Sequence, residues 1–258
     1  MNETGNNEDS AFKAALALHR QGQFAAAGEA YRAILADDPA HGAARLNLGH
    51  ALRRLGRDEE AEAAFQAATE LPDSAAGAWY NLGNLLASRR DFGPAEAAFR
   101  KSIELQPDMA PAHYQLGCVL RDRGLIAAAI EAFQNATTLD PQLTGAQMNL
   151  GNVLRAAGRL QDSAAAHRAA LALDPESWES HYNLARCLEE AGDPGAEAHL
   201  EKALDRSPRP AAVHHGFAEA AAARGTFERA LEHYRAAYAL EPQRHRARMG
   251  IGWASDGH

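Results

Sequence analysis

Residues Ala76 to Met109 read AGAWYNLGNLLASRRDFGPAEAAFRKSIELQPDM. The stretch reads as two short amphipathic helices joined by a turn. Leu82 and Leu86 share one face of the first helix, with Leu85 beside them, and Phe99 and Ile103 do the same on the second. Pro107 disfavours helical geometry at Gln106 and closes the stretch. The rest of the chain repeats it. Gly49, Gly83, Gly117 and Gly151 stand 34 residues apart, each preceded by a leucine. Phe65, Phe99 and Phe133 keep the same step, with His167 on the next one, and so do Pro107, Pro141 and Pro175. A fixed period of this size means stacked supersecondary units. A glycine inside a helix costs about 1 kcal/mol against alanine. Its return in one slot predicts a close approach by a neighbouring helix, met from the second helix by Ala61, Ala95, Ala129 and Ala230.

Trp79, Leu82, Gly83, Leu86, Ala95, Phe99 and Pro107 stand in the register of a tetratricopeptide repeat, and on these residues the chain resembles that family. The inter-helix glycine of the pattern is replaced by Arg90. Other units share the phase with local departures. Gly22, Ala27, Tyr31 and Pro39 mark the first, where Ala14 and Ala15 replace the Leu–Gly pair. Pro72 closes the second one residue early. In the fifth, Ser163 and His167 replace the small and the aromatic residue. The sixth lacks one residue between Gly192 and Ala196, and Asp193-Pro194-Gly195 predicts a tight turn there. Phe217, Gly225, Ala230, Tyr234 and Pro242 mark the seventh. The resemblance implies an all-α, right-handed superhelical solenoid of antiparallel helix pairs. It places about seven repeats over 9–242, with a disordered segment over 1–8 and a partial eighth repeat or capping helix over 243–258. Ile251 and Gly252 take the Leu–Gly places of that last unit.

Composition narrows the function. Lys and Arg number 26 against 34 Asp and Glu, a formal charge of −8. That balance argues against general nucleic-acid binding. Cys118 and Cys187 form no CxxC pair and sit in different repeats, which predicts two reduced thiols in a cytoplasmic protein. The opening MNETGNNEDS lacks the basic start and apolar run of a signal peptide. No stretch approaches the ~20 apolar residues of a membrane span. There is no HExxH, no glycine-rich phosphate loop, no nucleophile elbow and no zinc spacing. A non-enzymatic protein without cofactor or metal is therefore expected. His113, His181 and His214 take the place of Trp79, where packing is the expected role.

In the resembled family the first helices line a concave face. The slot before each Leu–Gly pair reads Asn47, Asn81, Gln115, Asn149 and Asn183. The slot after it reads His50, Asn84, Cys118, Asn152 and Arg186. One turn further on stand Arg53, Arg121 and Arg155, interrupted by Ala87 and Glu189. Tyr80, Tyr114, Met148 and Tyr182 precede the amides. A primary amide offers both a donor and an acceptor, so evenly spaced amides can pair with an extended peptide backbone whatever its side chains. Tyrosines add apolar area with a polar end, and arginines favour carboxylate or phosphate. Such a ladder resembles the repeat region of O-linked N-acetylglucosamine transferases, where it holds protein substrates. The residues expected at a partner are Asn47, Tyr80, Asn81, Asn84, Tyr114, Gln115, Arg121, Asn149, Asn152, Arg155, Tyr182 and Asn183. The competing reading is structural: the asparagines bond between adjacent repeats or meet solvent.

The expected function is a protein-interaction scaffold or adaptor that takes an extended protein segment in its groove. Two alternatives stand beside it. One is the substrate-recruiting arm of a larger enzyme such as a glycosyltransferase, with no catalytic residues in this chain. The other is a self-assembling scaffold, homo-oligomeric through its terminal repeats. A carboxylate clamp is disfavoured, because lysine is absent from the groove slots apart from Lys13.

Overall fold

A computed structural model of the chain describes residues 3–242. It divides into two compact units, 1–124 and 125–258. In the first, α1 (Glu3–Arg20) pairs with α2 (Phe24–Asp37), α3 (Gly42–Arg54) with α4 (Asp58–Thr69), and α5 (Ala75–Ser88) with α6 (Phe92–Leu105), followed by α7 (Ala110–Asp122). Each pair rests on the next, and α5 also touches α3 and α7 directly. The second unit opens with α8 (Ile126–Leu139). It continues with the pairs α9 (Thr144–Ala156) and α10 (Leu160–Leu173), α11 (Trp178–Ala191) and α12 (Ala196–Arg206), and α13 (Pro210–Arg224) and α14 (Phe227–Leu240). Here the first helices α9 and α11, and α11 and α13, are in contact. Both units are thus stacks of antiparallel helix pairs, and the fold is an all-α helical-repeat solenoid.

One interaction recurs inside the pairs. The rings of Phe65 and Phe99 are wholly buried and lie flat against a bare stretch of the first helix. A Cβ on Gly49 would stand 2.5 Å from the Phe65 ring, and one on Gly83 would stand 2.7 Å from the Phe99 ring. Glycine lets the ring reach the helix backbone, and the burial of an aromatic side chain outweighs the lost helix propensity. In the second unit His167 takes the ring's place against Gly151 at 2.6 Å.

The turns follow from backbone geometry. After α3 the chain turns at Gly56 with φ 73°, and the N–H of Arg57 closes onto the Leu52 carbonyl at 2.9 Å. This is the left-handed closure that glycine favours. Arg90 makes the same turn with φ 66°, the only residue other than glycine with positive φ among those described. Asp91 bonds the Leu86 carbonyl as Arg57 does Leu52. Gln106 is extended at φ −139° and ψ 86°, as a residue before proline should be. The early Pro72 coincides with a shorter α4 of 12 residues. At the sixth repeat Gly192 is left-handed, and the Gly195 N–H bonds the Asp193 carboxylate at 2.8 Å, which makes the expected tight turn.

Three readings differ or fall outside. Helix α1 begins at Glu3, within the segment expected to be disordered. Extending an existing helix is far easier than nucleating one, so the ladder carries through polar residues. Leu55, which the helical period places on one face with Leu48 and Leu52 and so toward the core, is 41% exposed. It is the C-cap that follows α3, where the chain already turns away. The partial eighth repeat over 243–258 lies outside the described residues.

Candidate protein-interaction surface

The first helices carry the residues expected at a partner, and the structure sorts them into two groups. In the slot before Leu–Gly two amides of the first unit turn onto their own helix. Asn47 Nδ2 donates to the Ala43 carbonyl at 2.8 Å, and Asn81 Nδ2 donates to Gly77 at 2.8 Å. Asn81 is only 8% exposed. A carbonyl one turn back is always within reach of a short polar side chain, so these two amides already spend donor capacity internally.

The other amides behave differently. Asn84 and Gln115 in the first unit, and Asn152 and Asn183 in the second, are half-buried. None of the four makes a side-chain hydrogen bond within the described residues. Asn149 is likewise half-buried on α9. Within the second unit Asn149, Asn152 and Arg155 follow one another along α9, and Tyr182 and Asn183 stand on α11, which packs against it.

The aromatic and basic residues are tied in. The Tyr80 ring packs at 6.0 Å from Phe99, and Tyr114 hydrogen-bonds to Cys118. Burial, the largest influence, raises the Cys118 thiol above its ordinary value, while Arg121 and the Tyr114 bond pull it down. Tyr182 packs over Gly216, where even a methyl group would collide with it, and its ring lies under the Arg186 guanidinium at 5.5 Å. Arg121 pairs with Asp122 at 2.8 Å and Arg155 with Glu190 at 2.9 Å. The basic patch expected along this face is therefore largely offset by neighbouring carboxylates that the slot pattern did not include.

Two other features are absent from the slot reading. Glu189, which looked like an interruption of the arginine row, is 1% exposed. It meets Arg224 at 3.7 Å, Arg229 at 3.6 Å and the Thr226 hydroxyl at 3.3 Å. The histidines in the Trp79 place do pack, but they also bond. His113 Nε2 meets the Pro107 carbonyl at 2.9 Å, and His181 Nε2 meets the Pro175 carbonyl at 3.2 Å. His181 and His214 each bond a second-helix histidine, with Nδ1 to Nδ1 distances of 2.9 Å to His199 and 3.0 Å to His233. Their 33-residue and 34-residue spacings were visible in the sequence as a histidine recurring on both helices. Among the described residues no group of three or more His, Cys, Asp or Glu could hold a metal ion, and no helix is long and apolar enough to cross a membrane.

Stacked helix pairs that share a polar first-helix face define a helical-repeat interaction scaffold. Models of the tetratricopeptide repeat match residues 12–76, 76–109, 114–177, 148–209, 194–245 and 215–255. The chain belongs to the tetratricopeptide repeat family. No curated protein sequence matches it significantly. Among solved structures it is similar to YrrB, described as a TPR protein with an unusual peptide-binding site. The two are 25% identical with a TM-score of 0.63, over 70% of this chain and 94% of YrrB. MamA is 25% identical with a TM-score of 0.56, over 61% of this chain and 92% of its own. The C-terminal part of a TPR repeat-containing protein from Cytophaga hutchinsonii shares the fold, with a TM-score of 0.70 at 16% identity, over 93% and 99% of the two chains.

Proposed function

We propose that the first-helix face binds an extended protein segment through its amides, so that the chain acts as a peptide-capturing scaffold. The observation that carries this is made in each unit by itself: Asn84 and Gln115 in the first, and Asn152 and Asn183 in the second, are half-buried amides with no internal hydrogen bond. A half-buried amide without a protein partner depends on water, and an extended backbone can replace that water with both a donor and an acceptor. The rigid stack spares the cost of ordering the receptor. The peptide-binding site of YrrB, at 25% identity, supports the same use of the fold here.

The test is quantitative. Peptides selected from a random display library are titrated into the wild-type chain, into Asn152→Ala/Asn183→Ala, and into Asn47→Ala. The double variant is expected to weaken binding about tenfold, roughly one hydrogen bond's net contribution, with native helix content by circular dichroism. Asn47→Ala is expected to bind as wild type, since that amide is turned inward. Equal affinity for all three would place the peptide on another surface.

A further inference from the structure

Helices α10, α11 and α12 border an open cleft of about 500 Å³ in the second unit. Arg168, Lys202 and Arg206 line it, with one carboxylate, Glu176. Arg206 Nε holds that carboxylate at 2.7 Å. Arg168 and Lys202 form no ion pair within the described residues. A chain of net charge −8 thus brings two cations without an ion-pair partner to one cleft. Such cations repel each other, and an anion between them removes the repulsion.

Two histidines also line this cleft, and their hydrogen bonds fix their tautomers. His181 Nε2 faces the Pro175 carbonyl at 3.2 Å, so it carries the proton and donates. His181 Nδ1 is then an acceptor, and the contact at 2.9 Å makes His199 Nδ1 the donor. The second nitrogen of His199, Nε2, is left with a bare lone pair and no bond within the described residues. Burial chiefly, and the neighbouring His181, Lys202 and Arg168, hold His199 below its ordinary value, opposed by Asp193. His181 is also lowered, by burial first and by Lys202 and Arg206. The Pro175 bond and Glu176 act against that.

We propose that this cleft binds a tetrahedral oxyanion of the phosphate-ester class between Arg168, Lys202 and His199, and that binding draws a proton from solvent onto His199 Nε2. Once protonated, His199 donates from both nitrogens, to His181 and to the anion. Tetrahedral oxygens satisfy several separated donors at once. Leu171 and Pro175 supply an apolar wall for the organic part of an ester.

Isothermal titration of the full chain tests both halves. The probes are sulfate, whose charge is constant over the range, and phenyl phosphate, which adds an apolar body. Phenyl phosphate is expected to bind more tightly than sulfate. Sulfate is expected to weaken about tenfold between about pH 6 and 8, with proton uptake seen in buffers of different ionisation heat. Arg168→Ala/Lys202→Ala, at exposed positions, is expected to weaken both probes at least about tenfold. His199→Asn keeps an N–H toward His181 without a titrating nitrogen, and it is expected to abolish the proton uptake. No binding, or binding that the double alanine variant leaves unchanged, overturns the site. Binding by wild type without proton uptake overturns the coupling to His199.

Discussion

His167 occupies the place that Phe65, Phe99 and Phe133 hold in other repeats, and it is wholly buried. Neither ring nitrogen has a hydrogen-bond partner. Burial, with a smaller push from Arg155, lowers it to about 4. Folding therefore holds this imidazole neutral, while the unfolded chain protonates near its ordinary value of about 6.5. The contribution is complete above that value and is lost as pH falls from about 6.5 toward 4, since the unfolded state then binds more protons. His167→Phe is expected to stabilise the chain by about 1–2 kcal/mol, the usual cost of unsatisfied polar atoms. Thermal melts at several pH values should show a flatter acid limb for the variant. Arg90 is the other residue out of pattern: its φ of 66° places a side chain where glycine belongs. Arg90→Gly is expected to gain about 1 kcal/mol, the usual left-handed penalty, read by chemical denaturation. Both positions were visible as departures from the repeat. The unpaired state of the His167 nitrogens was not, because it depends on what lines a pocket already shaped for phenylalanine.

At the scale of helices, the recurring glycine and the ring across from it explain the close spacing of α3 and α4, α5 and α6, and α9 and α10. Gly83→Ala gains helix propensity of about 1 kcal/mol but forces a methyl group into the Phe99 ring. Overpacking of this kind costs typically about 1–3 kcal/mol, so a net loss of stability is expected in urea titrations. Between pairs the apolar core runs on within each unit, and polar ties add to it. Arg89 bonds Glu62 and Arg123 bonds Glu96, the same exchange one repeat apart. In the last repeats Glu189 takes over, joining α11 to α13 and α14. Glu189→Ala is expected to cost about 2 kcal/mol, in the range of hydrogen bonds to charged groups. Hydrogen exchange should show the loss first in α13 and α14. The period, helix ends and turns were legible because each rests on a local rule of spacing, glycine or proline. The partners of Glu189 were not, since an acidic residue interrupting an arginine row carries no mark of burial. Half of the amide pattern was legible for a similar reason. Slot position tells which face a residue is on, but it does not tell whether Asn81 bonds outward or back to Gly77.

Over the whole chain, acid sensitivity is unevenly spread. In the first unit His19 and His50 are lowered, chiefly by burial. In the second the lowered set is His167, His181, His199, His214 and His233, with His233 at about 4. Each of these groups withholds a proton that the unfolded chain binds, so stability falls with pH below about 6.5. Residues 125–242 are expected to lose exchange protection before residues 10–124 as pH is lowered toward about 4. Equal loss in both would mean that these histidines do not govern acid unfolding.

The glycine and its ring belong to the same pair, and that has a genetic meaning. A duplication that copies one pair copies the complete fit with it, and a deletion removes both halves together. Across the seam the apolar contacts between pairs and the Arg–Glu ties must both find new partners, and in the first unit both recur from one repeat to the next. Such a gene can lengthen or shorten by whole modules while each remaining glycine–ring fit stays intact, so the length of the first-helix face can change by whole repeats.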